Sequence, residues 1–345
     1  MCELSIIMPV FNHPDTTKVM IDSILSNTYK AYELIAVDDG SDKATLNLLQ
    51  SYQESDSRVK VIRREANEPK GPQTCRNKGL DHSHGQFIIF FDSDDLVTPT
   101  CLENRVKAIK SRPDLDFMVF PSGRLTEGEL DPTPDAMVFG HKLYDNDLQM
   151  FARRNLPFIV WNNIYRHDSL VKSGISWDIH LKSLQDADFN LQALLKGLKY
   201  DYAQVRPDYA YRIVSNSSSV SSGIISDAHK KSHIYAIDKF FSTIIAQYGH
   251  KYDKDITEGA LKIYYSVIRA KLDKQFATDM ANCIRKYNKQ KALSFIIKVK
   301  CCQMLNYLIP WKRARQLAFL PFLIRTSTAI KKKINELERE HKNDA

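Results

Sequence analysis

The stretch Phe87–Asp95, Phe-Ile-Ile-Phe-Phe-Asp-Ser-Asp-Asp, decides the fold class of this 345-residue chain. Five consecutive apolar residues are typical of a strand that is buried on both faces, as the central strands of α/β sheets are. Three carboxylates follow within four positions, so we expect them where the buried strand ends, at the carboxyl edge of a sheet. Open α/β folds bind their ligands at that edge.

These crowded carboxylates repel one another unless a cation or a hydrogen-bond donor compensates. We expect the compensation to be a hard divalent ion with oxygen ligands, Mg²⁺ or Mn²⁺, which also holds phosphate. Asp95 alone has an alternative, because it could cap the helix announced by Pro99. One cap needs one carboxylate, which leaves Asp92 and Asp94 unexplained.

Composition is that of an ordinary globular protein, with 43% hydrophobic and 26% charged residues. The length allows one large domain or two. A strand-like run, Leu4–Val10, begins near the N-terminus, so we expect no signal peptide. No apolar stretch reaches the length of a membrane span. The six cysteines form no Cys-x-x-Cys pair, which predicts reduced thiols in a cytoplasmic protein.

The net charge of +8 is unevenly distributed. Much of the basic excess falls after residue 285, whereas the N-terminal half is mixed. This asymmetry favours a basic tail with a partner of its own, and we expect no nucleic acid as that partner, although a nucleic-acid binder stays a weaker alternative.

Strand-like runs alternate with helical patterns along the first 120 residues, which indicates βαβ units and a parallel sheet. In such a sheet, the acidic pair Asp38-Asp39 and the acidic run at 92–95 follow different strands but meet at one edge. Neither Gly-x-Gly-x-x-Gly nor Gly-Lys-Ser/Thr occurs, which argues against a dinucleotide fold or a P-loop. The predicted strands are 4–10, 33–37, 59–62, 87–91 and 115–120.

Four segments resemble the successive motifs of family 2 glycosyltransferases with the GT-A fold. They are Ile7–Asn12, Val37–Ser41, Gly71–Leu80 and Phe91–Asp95. Each segment is weak evidence alone because Asp-rich turns are common, but four in this order within a hundred residues are specific. The resemblance implies a Rossmann-like α/β fold with a mostly parallel central sheet flanked by helices.

The resemblance also implies residue roles. Asp39 would accept a hydrogen bond from a uracil ring, Asp94 would be the direct ligand of Mn²⁺ or Mg²⁺, and Asp92 would lie nearer the ribose. The residues that it places at the nucleotide sugar are Pro9, Phe11, Asn12, Asp39, Arg76 (near the diphosphate), Asp92, Ser93 and Arg212. Three of these have ordinary alternatives: Phe11 could be core, Asn12 could cap the next helix, and Arg76 could be a solvated charge.

The segment Leu184–Phe189 opens a helix. An acid in the first helical turn is stabilised by the helix dipole, so Asp186 could be a capping carboxylate. The family's Glu-Asp-x-x-Phe element falls on Gln185, Asp186 and Phe189, and it implies that Asp186 is the general base for the acceptor hydroxyl. The chain departs from the family at Gln185, where Glu is common. Asp188, which we expect to be exposed, is the reserve candidate.

Two further segments bear on the site. Residues 121–160 are punctuated by Pro and Gly, which predicts a surface flap beside the acceptor and then a helix near 145–154. Trp161–Arg166 and Tyr209–Arg212 resemble family elements. The second of them precedes a Ser-rich run, so we expect a loop there that closes over the diphosphate with Arg212.

From about residue 226 the pattern becomes helical, and after Lys286 it is apolar and basic together. Two interpretations stay open: a peripheral contact with anionic membrane, or an appendage that packs on the catalytic domain or forms a homo-oligomer. We therefore predict a GT-A catalytic domain, 1–225, and a helical basic extension, 226–345. The location that follows is cytoplasmic, at the inner face of the cell membrane.

The predicted function is inverting transfer of a sugar from a UDP-sugar to a hydroxyl of a glycan or lipid-linked glycan, in cell-surface polysaccharide synthesis. Two alternative functions would use the same carboxylates. A non-catalytic nucleotide-sugar-binding module would not need Asp186, and a metal-dependent nucleotidyltransferase would carry a glycine- and lysine-rich loop near its start. The sequence does not name the donor sugar or the acceptor.

Overall fold

The computed structural model describes residues 2–125, 137–142, 144–212, 226–267 and 273–308. The chain divides into two compact units. The first unit contains Met1–Lys142, Phe158–His180 and Gln185–Asn216, and the second contains Leu143–Pro157, Leu181–Leu184 and Ser217–Ala345. The domain boundary after residue 225 stays a prediction, because residues 213–225 lie outside the described ranges.

The described strands all belong to the first unit. In chain order they are β1 (Leu4–Val10), β2 (Tyr32–Asp38), β3 (Val59–Arg63), β4 (Phe87–Phe90), β5 (Leu96–Val97), β6 (Phe117–Val119), β7 (Ser122–Leu125), β8 (Met137–Phe139), β9 (Asn163–Arg166), β10 (Tyr200–Tyr202) and β11 (Tyr209–Arg212). Seven of them form a sheet in the order β10-β6-β9-β4-β1-β2-β3, in which only β9 runs antiparallel to its neighbours. The predicted mostly parallel sheet is therefore confirmed.

The described helices are α1 (Pro14–Leu25), α2 (Lys43–Ser55), α3 (Pro72–Asp81), α4 (Cys101–Ser111), α5 (Asp147–Ala152), α6 (His167–Ser173), α7 (Gln185–Leu195), α8 (Asp227–Tyr248), α9 (Asp253–Val267), α10 (Lys274–Tyr287) and α11 (Lys289–Leu308). Helices α1 to α7 lie between the strands in the chain, and α8 to α11 follow one another after the last of the strands. Of these, α5 and α8–α11 belong to the second unit.

The centre of the sheet is buried on both faces, as the continuous apolar runs predict. Every residue of β1, β2 and β4 is buried. Helix α3 approaches β1 closely at Gly79, where an added Cβ would lie 2.4 Å from the Ile7 Cγ2. A side chain at this position would therefore push the helix, with Arg76 on it, away from the strand.

The prediction of a surface loop or flap within 121–160 is wrong where the structure describes strands. Strands β7 and β8 lie here, in a second sheet of order β5-β11-β7-β8, and Phe158 is buried. The helix predicted near 145–154 is confirmed by α5. Residues 126–136 and 143 lie outside the described ranges. The antiparallel β9 was also missed, because four residues are too short to show a period.

The second unit is helical, as predicted. Its core includes Ile237 and Phe241 from α8 and Leu261, Tyr264 and Tyr265 from α9, all of which are buried. In the described ranges, we find no helix that is both long enough and apolar enough to cross a membrane.

A buried ion pair fixes the segment that leads into β11. Arg105 on α4 is fully buried and donates to both carboxylate oxygens of Asp208, at 2.8 and 2.5 Å. It also donates to the backbone oxygen of Trp161, at 2.6 Å. Because Asp208 directly precedes Tyr209, this pair sets the position from which β11 reaches the acidic run after β4.

Replacing one partner of this pair tests its role. We expect Asp208→Asn to lower the free energy of unfolding by about 3 kcal/mol, because it leaves the Arg105 charge buried without a counter-ion. Urea denaturation measures the change. The matched control is Asp114→Asn, in an exposed pair with Arg112, which should lower the free energy of unfolding much less, because solvent screens an exposed pair. Equal losses in the two variants would contradict the assignment.

Candidate active site

Arg76 joins the acidic run after β4 to the start of α7. This buried guanidinium donates to the Asp92 Oδ1 at 2.6 Å and to the Gln185 Oε1 at 3.4 Å. It also lies over the ring of Trp177, 4.4 Å from the ring centroid. The alternative of a solvated charge for Arg76 is therefore wrong. Its role near a diphosphate stays a prediction.

Trp177 holds α3 and α7 together. Its backbone nitrogen and oxygen both bond to the side chain of Asn77 on α3, each at 2.8 Å. Its ring stacks on Phe189 of α7 at a centroid distance of 4.4 Å. The sequence reasoning missed Trp177, because nothing in the sequence pairs residue 177 with residue 77. A tryptophan shortly before the Glu-Asp-like element was the only available signal.

Asp186 lies in the first turn of α7, close to the charges of Arg76 and Asp92. Burial and the charge of Asp92 raise the pKa of its carboxyl to about 6, and the positive charge of Arg76 works against that rise. Its Oδ1 is buried and has no hydrogen-bond partner among the described residues. A carboxylate with these properties can accept a proton near neutral pH.

The reserve candidate Asp188 differs from the prediction, since it is buried and not exposed. Its Oδ2 accepts from the Gln192 Nε2 at 2.7 Å, one turn along the same helix. Helical spacing alone could not distinguish the two faces of α7, because both carry apolar residues.

Asp95 is a structural residue. Its buried carboxylate accepts from the Tyr209 Oη at 2.5 Å and from the Arg212 backbone nitrogen at 2.8 Å. The alternative that Asp95 caps α4 is wrong, because the residue before that helix is Thr100. Strand β11 therefore holds the acidic turn, and the Arg212 Nε adds a bond to the Asp94 backbone oxygen at 2.7 Å.

Asp94 keeps an exposed surface, while Ser93 and Asp92 beside it are half-buried. Surrounding protein atoms remove part of the water from the Asp94 carboxylate, and together with the charge of Asp92 they raise its pKa to about 6. Among the described residues, no three His, Cys, Asp or Glu side chains are arranged to hold a metal ion by themselves. A metal at Asp94 would therefore need ligands from elsewhere.

Asp39 lies at the end of β2 and is buried. Its Oδ1 accepts from the Arg64 Nε at 2.5 Å and from the Gly71 backbone nitrogen at 3.3 Å. Both hydrogen bonds are accepted by the Oδ1 atom, and the Oδ2 atom of Asp39 accepts neither of them. The sequence reasoning missed Arg64, which follows β3 directly and gave no motif of its own.

The turn after β1 is tied to the turn after β2. The Asn12 Oδ1 accepts from the Asp42 backbone nitrogen at 2.9 Å, and the Asn12 nitrogen donates to the Ser41 Oγ at 3.0 Å. Asn12 has a φ of 57°, in the left-handed region that Asn tolerates. It does not cap α1, whose N-cap is His13, so the cap alternative is wrong.

Phe11 and Pro9 differ in exposure. Phe11 is 43% exposed and the Lys70 Nζ lies 3.6 Å from its ring centroid, so the alternative of a core residue is wrong. Pro9 is buried within β1, in register with Val37. The structure thus brings the predicted residues into two neighbouring groups. The first group, Phe11, Asn12 and Asp39, lies at the ends of β1 and β2. The second group lies around the end of β4 and contains Arg76, Asp92, Asp94, Asp186 and Arg212.

The fold is that of GT-A glycosyltransferases. S. aureus TarS, in a crystal structure with UDP-GlcNAc, has a TM-score of 0.66 and 18% identity over 94% of this chain and 92% of that one. Mannosyltransferase PcManGT from Pyrobaculum calidifontis, in complex with GDP-Man and Mn²⁺, has a TM-score of 0.53 and 14% identity over 92% and 83% of the two chains. At these identities the likeness concerns the fold alone.

The sequence identifies the family. Glycosyl transferase family 2 matches residues 5–174, so this part of the chain belongs to that family. The match begins within β1 and ends after α6, and it includes the four segments Ile7–Asn12, Val37–Ser41, Gly71–Leu80 and Phe91–Asp95.

Curated relatives agree with this assignment. A cholesterol galactosyltransferase of Borreliella burgdorferi is 29% identical over 234 residues, which cover 64% of this chain and 63% of that protein. A poly(ribitol-phosphate) beta-glucosyltransferase of Bacillus spizizenii is 28% identical over 214 residues, covering 61% and 32%. The chain spans about three-fifths of the length of the first curated relatives it matches.

The raised pKa of Asp186 has a consequence for stability. Because the folded-state pKa of about 6 exceeds the ordinary value of 3.8, the folded protein binds an extra proton between these values, and stability is lost as the pH rises through that window. We expect Asp186→Asn to raise the free energy of unfolding by about 2 kcal/mol at pH 8. The gain should fade as the pH falls from 6 to 4.

Urea denaturation at pH 4, 6 and 8 measures this gain. The matched control is Asp168→Asn, at an exposed first-turn position of α6, which should change stability by less than about 0.5 kcal/mol at each pH. A destabilised Asp186→Asn protein at pH 8 would mean that the carboxylate is compensated in the fold.

Proposed function

We propose that this protein is an inverting glycosyltransferase that moves a sugar from a UDP-sugar to a hydroxyl of a glycan or lipid-linked glycan. The observation that carries the proposal is the Asp186 carboxylate. It has a raised pKa, a buried oxygen without a partner among the described residues, and a position close to the Arg76–Asp92 pair. The neighbouring carboxylate of Asp95, by contrast, accepts a hydrogen bond at each of its oxygens.

In this reaction the acceptor oxygen attacks the anomeric carbon from the face opposite the UDP. A new carbon–oxygen bond forms, the bond to the diphosphate oxygen breaks, and its electron pair leaves with the UDP. Asp186 takes the proton of the attacking hydroxyl. A single displacement of this kind inverts the anomeric carbon.

The residues fit a divalent ion, Mn²⁺ or Mg²⁺. The Asp94 carboxylate accepts no ion pair from the described side chains, and its neighbour Asp92 adds negative charge. Mg²⁺ sites commonly combine one or two carboxylates with phosphate oxygens of the substrate, which agrees with the lack of a complete ligand set among the residues that the structure describes. When bound, such an ion would neutralise charge on the diphosphate.

The nucleotide contacts are argued from the ends of β1 and β2. Arg64 and Gly71 hold the Asp39 carboxylate through its Oδ1, which leaves the Oδ2 as an acceptor for the uracil N–H. Phe11 offers an exposed ring that could stack on the base. Arg76 and Arg212 would lie beside the diphosphate, with Ser93 between the two carboxylates of the acidic turn.

A role in cell-surface polysaccharide synthesis is supported by the names of relatives. Besides the poly(ribitol-phosphate) glucosyltransferase, they include a teichuronic acid biosynthesis glycosyltransferase, TuaG, which is 33% identical over 109 residues. The donor sugar and the acceptor stay open, as does a homo-oligomer. A cytoplasmic location at the inner membrane face stays a prediction.

Calorimetric titration of UDP tests the donor site. We expect UDP to bind in the presence of Mn²⁺ and to bind at least about tenfold more weakly without it, because phosphate and carboxylate charges then repel. Asp94→Asn should lose the effect of the metal, whereas Asp168→Asn should not. If UDP binds equally well without metal, Asp94 is not a metal ligand. If UDP does not bind at all, the same titration is repeated with GDP and dTDP.

Asp186→Asn tests the base. We expect turnover of a UDP-sugar panel to fall by a factor of about a thousand or more while UDP affinity is kept, because only the proton acceptor is lost. The wild-type rate at saturating donor and metal should rise with pH, with a midpoint near 6, and then level off, since the carboxylate must be ionised. Near-normal turnover in the variant would overturn the assignment and favour a binding module.

A further inference from the structure

Helix α11 has two apolar faces. One face packs inside the second unit through Ala292, Phe295 and Val299, all of which are buried. The other face carries Leu293, Ile297 and Met304, whose side chains are 58%, 51% and 69% exposed. A surface helix of a globular protein normally has one apolar face, so the second face needs a partner.

The exposed residues form one stripe. At about 100° of rotation per residue, Leu293, Ile297 and Met304 lie within a sector of about 40°, on the side of α11 opposite Phe295. They therefore share one line along the helix, which a flat surface could contact at all three positions.

Two lysines border this stripe on one side. Helix α11 contains Lys289, Lys291, Lys298 and Lys300 but no Asp or Glu in its twenty residues. By the same helical rotation, Lys289 and Lys300 lie along one edge of the stripe, whereas Lys291 and Lys298 lie about 100° or more from its other edge, towards the side of Phe295. None of the four forms an ion pair with a residue that the structure describes.

We propose that this face of α11 lies on an anionic lipid surface. The three apolar side chains would enter the boundary between headgroups and acyl chains, and the lysine ammonium groups would lie among the phosphates. A second copy of the chain is a poorer partner, because facing α11 helices would bring Lys289 and Lys300 of both copies together without a carboxylate on either helix.

Vesicle flotation with the full chain tests this contact. The protein is mixed with vesicles of phosphatidylcholine alone, or with about 30% phosphatidylglycerol added, at low and high salt. We expect wild-type protein to float with the anionic vesicles and to be released by salt. The readout needs no turnover, so it is independent of the proposed reaction.

Two triple variants separate the contributions of charge and apolar area. Lys289→Gln, Lys298→Gln and Lys300→Gln together should lower partitioning by roughly tenfold or more, chiefly through Lys289 and Lys300, which lie beside the stripe. Leu293→Ser, Ile297→Ser and Met304→Ser together should lower partitioning into the vesicles by roughly tenfold or more, at both low and high salt.

The matched charge control is Lys107→Gln, Lys196→Gln and Lys254→Gln, three exposed lysines elsewhere in the chain. It should bind vesicles like the wild type. UDP titration and thermal unfolding confirm that each variant is folded. If the control variant lost vesicle binding equally, the net charge of the protein would explain the binding, and the proposal would be overturned. So would absence of wild-type binding, or a serine variant whose main change is a smaller oligomer in light scattering.

Discussion

The ion pair between Arg76 and Asp92 is the contact on which the geometry of the candidate site depends. A buried guanidinium is stable only with a charged partner and good hydrogen bonds, and Asp92 supplies both at 2.6 Å. The same guanidinium contacts Gln185 and lies over Trp177. One side chain therefore fixes the distance between the acidic turn after β4 and the helix that carries Asp186.

The carboxylates around this pair are compensated to different degrees. Asp95 receives a tyrosine hydroxyl and a backbone nitrogen, and Asp39 receives Arg64. The carboxylates of Asp94 and Asp186 are compensated less by hydrogen bonds and positive charge, and the pKa of each is raised to about 6. Uncompensated charge costs stability in the folded protein, so its concentration at one sheet edge is better explained by a ligand and a reaction than by the fold.

The sheet could be predicted from the sequence because buried strands carry long apolar runs, as β1 and β4 do. The placement of Asp39, Asp92 and Asp94 at the ends of sheet strands could be predicted, because these residues follow the strands in recognisable motifs. The sequence did not predict the contacts of Arg64, Lys70 and Trp177, since their partners are distant in the sequence or unmarked by any motif. Strand β9 was too short to show a period, and the buried side of α7, with Asp188, depends on packing that helical spacing alone does not determine.

The neutral residue at position 185 affects the same network. Its Oε1 lies 3.4 Å from the Arg76 Nη1, so a Glu in its place would be a second anion beside Arg76 and next to Asp186. That charge would raise the pKa of Asp186 further and would share the field of the guanidinium. With Gln185, the positive charge of Arg76 acts chiefly on Asp92 and Asp186. The departure from the family pattern thus helps to keep the carboxylate of Asp186 ionised at neutral pH.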